Sequence, residues 1–247
     1  MRTGSAFERQ HVSTGQRFRP VRAGVERLPA RYNLPRHQHL DSYATVVLEG
    51  RFVEAGFAGR ARAIAGVALL HGVLDVHADQ MLSAGARILR LPWPSTLEGA
   101  FQVRDPDFLV RVAERDPQEA AAALMDDIAS SRHSAHRCND WPDLLANGLA
   151  ARDMPELRVW AKRHHVRPET LSRGFRAAYG CSPSTYRLQL RARRAWSLVT
   201  HEQTPLATIA AETGFADHAH MSRAVKMLTG RTPSDWRQDC RNSASSQ

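Results

Sequence analysis

The sequence predicts an α+β protein with a β-rich first half and an all-helical last part. Residues 18–97 contain short apolar runs separated by glycine, proline and aspartate, and such runs are typical of strands. From residue 156 to residue 236 the apolar positions instead recur at helical spacing. A third observation is an internal repeat within this helical stretch, which indicates a duplicated supersecondary unit.

The chain has 247 residues, which is long enough for two domains, and its texture changes along its length. Two helices, at 107–113 and 117–130, follow the β-rich stretch. The second begins at Pro117, with Asp116 as its predicted cap. The predicted segments are a flexible arm at 1–17, a β-rich domain with C-terminal helices at 18–130, a linker at 131–150 and a helical domain at 151–240.

The formal net charge of +9 is unevenly distributed. Residues 151–247 contain 16 lysines and arginines against 8 acidic residues, whereas residues 1–150 contain 18 against 17. Because phosphate contacts dominate affinity for nucleic acids, an excess of positive charge in one region favours a polyanionic partner there. On charge alone, a solvated basic face without any partner is an equal alternative.

The three cysteines, Cys138, Cys181 and Cys240, form no CxxC pair and no metal-site spacing. We interpret them as reduced thiols of a cytoplasmic protein. The basic N-terminus lacks the apolar core of a signal peptide, and no run of about 18 apolar residues predicts a membrane span.

Ten positions recur about 50 residues apart in the helical stretch. The first two pairs are 49 residues apart and the other eight are 50 apart, so the second copy has one additional residue near its turn. The pairs are Leu157 with Leu206, Ala161 with Ala210, Ser172 with Ser222, Arg173 with Arg223, Arg176 with Lys226, Gly180 with Gly230, Pro183 with Pro233, Ser184 with Ser234, Tyr186 with Trp236 and Arg187 with Arg237.

Each copy has the same predicted plan of a short helix, a tight turn at 164–167 or 213–216, and a second helix. Pro168 suits the first position of one second helix, and Asp217 is a good cap for the other. The second helices have an apolar face and a polar, basic face. This is the helix-turn-helix plan, in which the second helix enters the major groove. A basic helix at 185–200 joins the copies; an unrelated helical bundle is the alternative.

The C-terminal motifs resemble those of the AraC/XylS family of bacterial regulators. Residues 173–186 match the end of the family's first unit, and residues 209–237 match its second unit. Met221 and Val225 stand where the family usually has phenylalanine, and Arg167 stands where a serine cap is common. The resemblance implies a sequence-specific DNA-binding transcription regulator and covers about 80 residues.

Carried over position by position, the resemblance implies two groups of DNA-contacting residues. The first group contacts bases and the second contacts phosphates. The arginines of the base-contacting group can bind guanine bidentately, and its glutamate would have to accept a hydrogen bond from cytosine or repel other bases. The alternative for each arginine is a surface salt bridge. The base-contact candidates are Glu169, Ser172, Arg173, His218, His220 and Arg223. The candidates for contacting phosphate are Arg167, Arg176, Arg187, Lys226 and Arg237. For all of these except Arg167, capping of a helix end is an alternative role.

The β-rich domain resembles a cupin barrel, which in this family senses a ligand or dimerises. His37 and His39 form the H-x-H of the first cupin motif, but Tyr43 stands where the cupin glutamate would be and Gly50 follows. Residues 66–77 resemble the second motif, with His77, or less favourably His71, as its histidine. The resemblance implies a divalent metal site, for Zn²⁺ or Fe²⁺, formed by His37, His39 and His77, with Glu49 or Glu54 as substitutes for the missing glutamate.

Three functional hypotheses remain open at this stage. The first is a transcription regulator with a β-barrel that senses a small effector or dimerises, without catalysis of its own. The second is a metal-dependent cupin enzyme fused to a DNA-targeting domain, and the third is a nucleoid-type DNA binder without an effector. The helices at 107–130 serve either as a dimerisation surface or as packing for the barrel. The expected partner is double-stranded DNA, and RNA polymerase, an unknown small effector and a second copy of the chain are further candidates.

Overall fold

The computed structural model describes residues 21–30, 33–131, 137–151 and 154–244, so the predicted arm at 1–17 lies outside the described residues. Within them, strands come first and helices follow, as expected for an α+β chain. The strands are β1 (Gly24–Leu28), β2 (Asn33–Gln38), β3 (Tyr43–Gly56), β4 (Gly59–Ile64), β5 (Val67–His71), β6 (Val76–Pro92) and β7 (Gly99–Gln102). The helices are α1 (Pro106–Ala113), α2 (Pro117–Ser131), α3 (Trp141–Ala150), α4 (Leu157–Arg163), α5 (Pro168–Tyr179), α6 (Pro183–His201), α7 (Leu206–Glu212), α8 (His218–Thr229) and α9 (Pro233–Ala244).

The strands form one antiparallel sheet that is built around the two long strands β3 and β6. β3 pairs with β6 along most of its length, and its other edge pairs first with β5 and then with β4. β6 pairs with β2 near its start and with β1 towards its end. Among the described residues the ladder runs from β1 to β7 without returning on itself, so the closed cupin-like barrel is not confirmed.

A glycine allows β3 and β6 to approach closely where the pairing shifts register. Gly50 has a φ of 79°, and a Cβ at this position would collide with the carbonyl oxygen of Gly85 on β6. The register of the β3–β6 ladder shifts between Gly50 and Phe52. The glycine that closes the cupin-like motif therefore has a packing reason, because only glycine fits this conformation and this close approach.

Helices α1 and α2 pack against the sheet and complete one of its hydrophobic cores. Leu109 of α1 and Leu124 of α2 are buried together with Leu91 and Trp93. Asp116 accepts a hydrogen bond from the backbone N–H of Gln118 over 2.8 Å, as expected of a cap for α2. Of the two roles predicted for these helices, packing onto the sheet is observed, while dimerisation stays a prediction. A second core lies within the sheet and contains Val47, Phe52, Val67, Leu69, Met81 and Ile88.

The long helix α6 passes between two further cores in the helical region. The first contains residues of α3, α4 and α5, and the second contains residues of α7 and α8. Ala55 of β3 joins the first core and Val76 of β6 joins the second, so the sheet packs against both. Helix α3 lies in the segment predicted as a linker, and its Leu145 is fully buried in the first core. None of the described helices has the length and apolar character needed to cross a membrane.

Candidate functional site

The first helix pair consists of α4 and α5. Leu171, Phe175 and Tyr179 are buried along one face of α5, at the four-residue spacing that a helical apolar stripe requires. Pro168 is at the first turn of this helix, where its missing N–H is tolerated. Gly180 ends the helix in the left-handed conformation, with a φ of 70°. The stripe fixes which face of α5 points away from the protein.

The second helix pair, α7 and α8, repeats this arrangement. Ile209 is buried on the inner side of α7. The buried residues of α8 include Met221 and Val225, at the two positions where the AraC/XylS motif usually has phenylalanine. Both are completely buried, so the apolar packing is kept. Asp217 caps α8 and Gly230 ends it with a φ of 79°.

The turns of the two pairs have the same backbone geometry. In each copy a residue within the turn donates its N–H over 2.9 Å to the carbonyl five positions earlier, from Val166 to Ala161 and from Phe215 to Ala210. One turn residue is left-handed in both copies: Gly214 has a φ of 76° and His165 a φ of 53°. Because glycine adopts this conformation without steric cost, the second turn is locally the less strained of the two.

Removing the cap of α8 is expected to destabilise the protein. The side chain of Asp217 accepts a hydrogen bond from the N–H of His220 over 2.6 Å, whereas Arg167, at the corresponding position before α5, makes no side-chain cap. We expect Asp217→Ala to lower the free energy of unfolding by about 1 kcal/mol. Arg167→Ala is the matched control and should change it by less than about 0.5 kcal/mol. Urea unfolding at neutral pH measures both, and equal effects would show that the cap contributes nothing.

The outward faces of α5 and α8 carry most of the predicted DNA-contacting residues. These side chains are exposed and lie opposite the buried stripes, so each second helix presents a polar, mainly basic surface. Glu169 adds the only negative charge among the exposed candidates. The exposed candidates are Arg167, Glu169, Ser172, Arg173 and Arg176 in the first copy, and His218, Arg223 and Lys226 in the second.

Three predicted residues are buried or half-buried instead. The ring of His220 is half-buried and lies edge-on to Phe215, with 5.2 Å between ring centroids. Arg187 is half-buried. Arg237 is 9% exposed, and its Nη2 donates over 3.4 Å to the carbonyl oxygen of Glu202, the residue that ends α6. Of the two roles that the sequence left open for Arg237, this contact matches the capping of a helix end.

Two arginines of α6 hold the helices and the sheet together, through contacts that no sequence pattern indicated. Arg191 donates from Nη1 over 2.9 Å to the carbonyl oxygen of Gly214, in the turn of the second pair. Arg193 donates from Nε over 2.9 Å to the carbonyl oxygen of Val73, and its guanidinium also pairs with the Glu98 carboxylate. The basic charge of α6 therefore serves internal contacts in part.

A second candidate site lies where β2, β3, β5 and β6 meet. His37 is opposite His77 in the β2–β6 pairing, and Tyr43 is opposite His71 in the β3–β5 pairing. The predicted set His37, His39 and His77 does come together, with centroid distances of 4.8 Å, 4.4 Å and 5.2 Å between the three rings. His71 joins them, with its ring 4.8 Å from that of His77.

Asp75 organises two of these histidines. Its Oδ2 accepts a hydrogen bond of 2.9 Å from the Nδ1 of His71 and another of 2.9 Å from the Nδ1 of His77. Burial alone would raise the pKa of Asp75, but the hydrogen bonds from the two histidines hold it well below the ordinary value. Burial lowers the pKa of His77, so its ring is neutral and its Nε2 carries a lone pair.

Tyr43, at the position where the cupin resemblance leads us to expect glutamate, contacts the same histidine. Its hydroxyl lies 3.3 Å from the Nε2 of His77. Burial raises the pKa of Tyr43 well above its ordinary value, with the charge of Glu54 as the next cause. The hydroxyl therefore keeps its proton and donates a hydrogen bond to that nitrogen. Tyr43 is therefore a hydrogen-bond donor at a position where a cupin would have an anionic ligand.

The geometry of the two helix pairs defines the C-terminal region as a helix-turn-helix module, and comparison with known proteins agrees. A family model described as a helix-turn-helix domain matches residues 160–239. The arabinose operon regulatory protein of Salmonella typhimurium is 36% identical over 73 residues, which are 30% of this chain and 26% of that protein. The transcriptional activator RhaR of Cronobacter sakazakii is 34% identical over 98 residues, 39% of this chain and 35% of that protein.

The C-terminal region thus matches a helix-turn-helix domain, and its sequence is similar to parts of these two curated regulators. The chain spans only about a third or less of the length of these curated relatives. Among solved structures, the DNA-binding domain of AdpA in complex with a target DNA is similar at 18% identity and a TM-score of 0.38, over 42% of this chain and 96% of that one.

Proposed function

We propose that this protein is a sequence-specific transcription regulator that binds double-stranded DNA through α5 and α8. The observation that carries the proposal is the repetition of one surface. Two helices with the same turn, the same buried stripe and the same left-handed glycine end expose matching basic residues, Arg173 with Arg176 and Arg223 with Lys226. Two such helices suit adjacent major grooves on one side of the duplex, about 34 Å apart.

The two helices are proposed to read different bases. Arg173 and Arg223 have long, exposed guanidinium groups that suit bidentate contacts with guanine. Only the first helix carries Glu169, which would accept from cytosine N4 or repel other bases. The second helix instead carries His218, whose Nε2 lies 3.3 Å from the Ser222 hydroxyl. The preferred site is therefore not a palindrome within the footprint of one chain.

The sheet is proposed to be a cupin-like sensor domain that acts on the helices through direct contacts. Arg36 on β2 donates from Nε over 3.0 Å to the side-chain oxygen of Gln189 on α6. The hydroxyl of Tyr186 donates over 3.2 Å to the carbonyl oxygen of Gly56 at the end of β3. A small effector bound in the sheet, or a second copy of the chain bound to it, would act through contacts of this kind. Contact with RNA polymerase is part of the same proposal for a regulator.

Selection from a random DNA pool tests the proposed function. The full chain should enrich duplexes with two conserved elements separated by about one helical turn. Its affinity for the enriched duplex should exceed that for a scrambled duplex by at least about 10³-fold at the same salt concentration. Binding without any enriched sequence, with only a steep dependence on salt, would instead indicate a nucleoid-type binder and contradict the proposal.

A further inference from the structure

We propose that Glu54, His71 and His77 bind one divalent transition-metal ion, with Asp75 orienting the two histidines from behind. One ligand atom from each of the three side chains lies within 4.8 Å of the others, and Nε2 of His71 is 3.5 Å from Oε2 of Glu54. Two ligands at about 2.1 Å from a tetrahedral ion are separated by about 3.4 Å. Two imidazoles and one carboxylate are a common ligand set for Zn²⁺ and Fe²⁺.

The hydrogen bonds of Asp75 prepare both histidines for a metal. Because the carboxylate accepts from both Nδ1 atoms, both rings present Nε2 on the side away from Asp75. A carboxylate behind a histidine ligand fixes its tautomer and makes the ring a stronger ligand. His71 is 2% exposed, and its Nε2 has no hydrogen-bond partner within the described part of the chain. A buried nitrogen of this kind is costly unless something binds it.

The charges around the site also favour a cation. The carboxylates of Asp79 and Asp75 are close enough to interact electrostatically with that of Glu54, and like charges repel. The positive charge of Arg90 opposes this repulsion. Three carboxylates thus share a buried region with one arginine acting on Glu54, and a divalent ion between Glu54 and the histidines would offset their repulsion.

The proposed set differs from the one that the cupin resemblance implies. His37, His39 and His77 are also close enough to share an ion, but this set has no carboxylate, because Tyr43 stands in its place. Both sets need Nε2 of His77, so one ion uses one set or the other. Glu54 and the shared Asp75 favour the set with His71.

Metal binding by the full chain, first stripped with a chelator, tests the site directly. Equilibrium dialysis with Zn²⁺ should give one ion per chain, and Co²⁺ should give the visible absorption of a bound ion. Glu54→Gln and His71→Ala should weaken Zn²⁺ binding by at least 100-fold, and Asp75→Asn by about 10–100-fold. Tyr43→Phe removes the hydroxyl that competes for His77 and should tighten binding by about 2–10-fold.

Two histidine variants serve as controls. His37→Ala tests the alternative set, and His201→Gln removes an exposed histidine at the end of α6. Both should bind Zn²⁺ like the unchanged chain. Loss of binding in His37→Ala with full binding in His71→Ala, or no bound ion in the unchanged chain, would overturn the proposal. Glu54→Gln keeps the size of the side chain, and its thermal unfolding without metal shows whether the variant is folded.

The proposed metal site lies next to a contact between the sheet and α6. This contact gives the metal a regulatory role, which rests on the proposed DNA-binding function. The turn from His71 to His77 includes Val73, whose carbonyl oxygen is bound by Arg193 of α6, and Val76, which joins the core of the second helix pair. Zn²⁺ should therefore change the affinity for the selected duplex by at least about 5-fold, within the usual range of coupling between sites. The His71→Ala variant should show no such change.

The two readouts separate the possible failures. Absence of Zn²⁺ in dialysis contradicts the metal site, whatever the DNA result. Stoichiometric Zn²⁺ with unchanged DNA affinity contradicts the coupling through Arg193 and leaves the site intact. Binding to selected and scrambled duplexes alike, with and without metal, contradicts the proposed function itself.

Discussion

Alanine at position 173 or 223 is expected to weaken binding to the selected duplex by about 10–100-fold, because each bidentate contact between arginine and guanine contributes about 1–3 kcal/mol. Both side chains are exposed on the outer faces of α5 and α8, opposite the buried stripes, so their removal should leave the fold intact. Binding to a scrambled duplex should fall by much less. Fluorescence anisotropy with both duplexes at one salt concentration measures the two affinities.

The comparison depends on a control that removes the same charge elsewhere. Arg111 lies on α1, with 63% of its side chain exposed, and Arg111→Ala should bind both duplexes like the unchanged chain. Arg176→Ala should weaken both duplexes alike, because a phosphate contact carries no sequence information. If Arg173→Ala and Arg223→Ala also lose affinity equally for the two duplexes, the assignment of base contacts is wrong.

The sequence predicted the helical region well because its signals are local. Pro168, Asp217 and the glycines at 180, 214 and 230 each act within one turn of the chain, and each holds the conformation expected from its residue type. The repeat then showed that the same unit occurs twice. The sequence did not indicate the packing of α3, which lies in the segment assigned to a linker, because Leu145 becomes part of a core only through contacts with distant helices.

The contacts within the sheet and between the sheet and the helices could not be predicted, because they join distant residues. The sequence pattern favoured His77 over His71, but it could not show that Asp75 hydrogen-bonds to both. Glu54 was named only as a substitute for the cupin glutamate, and its approach to His71 depends on how β3 pairs with β5 and β6. Likewise, Arg193 is 95 residues from Glu98 in the chain, and no spacing rule connects them.

The arginines of α6 change how this helix relates to DNA. A basic helix between two recognition helices suggests phosphate contacts along its length. Arg191 instead holds the turn before α8, and Arg193 holds the sheet. Arg194 is exposed and remains available to a phosphate. Helix α6 is thus in part a structural support that connects α8 to the sheet. Under the proposed function, we expect phosphate contacts more on α5 and α8 than on α6.

Asp143→Ala is expected to produce the largest loss of stability, about 3 kcal/mol in the free energy of unfolding, because it leaves a mostly buried arginine without its buried partner. Asp143 is 4% exposed on α3 and accepts two hydrogen bonds of 2.9 Å from Arg60 of β4. It also accepts one of 2.8 Å from the hydroxyl of Tyr179, at the end of α5. One carboxylate therefore joins the sheet, α3 and α5.

The matched control is Asp140→Asn, which removes a charge that also pairs with Arg60. Asp140 has 64% of its side chain exposed, so its pairing is screened by water and the variant should lose less than about 1 kcal/mol. Asparagine also remains a good helix cap at this position, which begins α3. Equal losses in the two variants, measured by urea unfolding at pH 7, would show that burial of Asp143 does not matter.

The effect of Asp143 should depend on pH in a direction set by its pKa. Burial raises this pKa, but the hydrogen bonds from Arg60, Asp140 and Tyr179 and the charge of Arg60 together outweigh burial and lower it from 3.8 to about 2. A carboxyl group whose pKa is lower in the folded state stabilises the fold above its ordinary pKa, and this contribution disappears as pH falls through the folded value. The difference in unfolding free energy between the unchanged chain and Asp143→Ala should therefore be constant above about pH 5 and shrink by about 2 kcal/mol between pH 4 and pH 2. A difference that stays constant over this range would mean that the ionised carboxylate does not stabilise the junction, and that Tyr179 and α5 are held there by apolar packing alone.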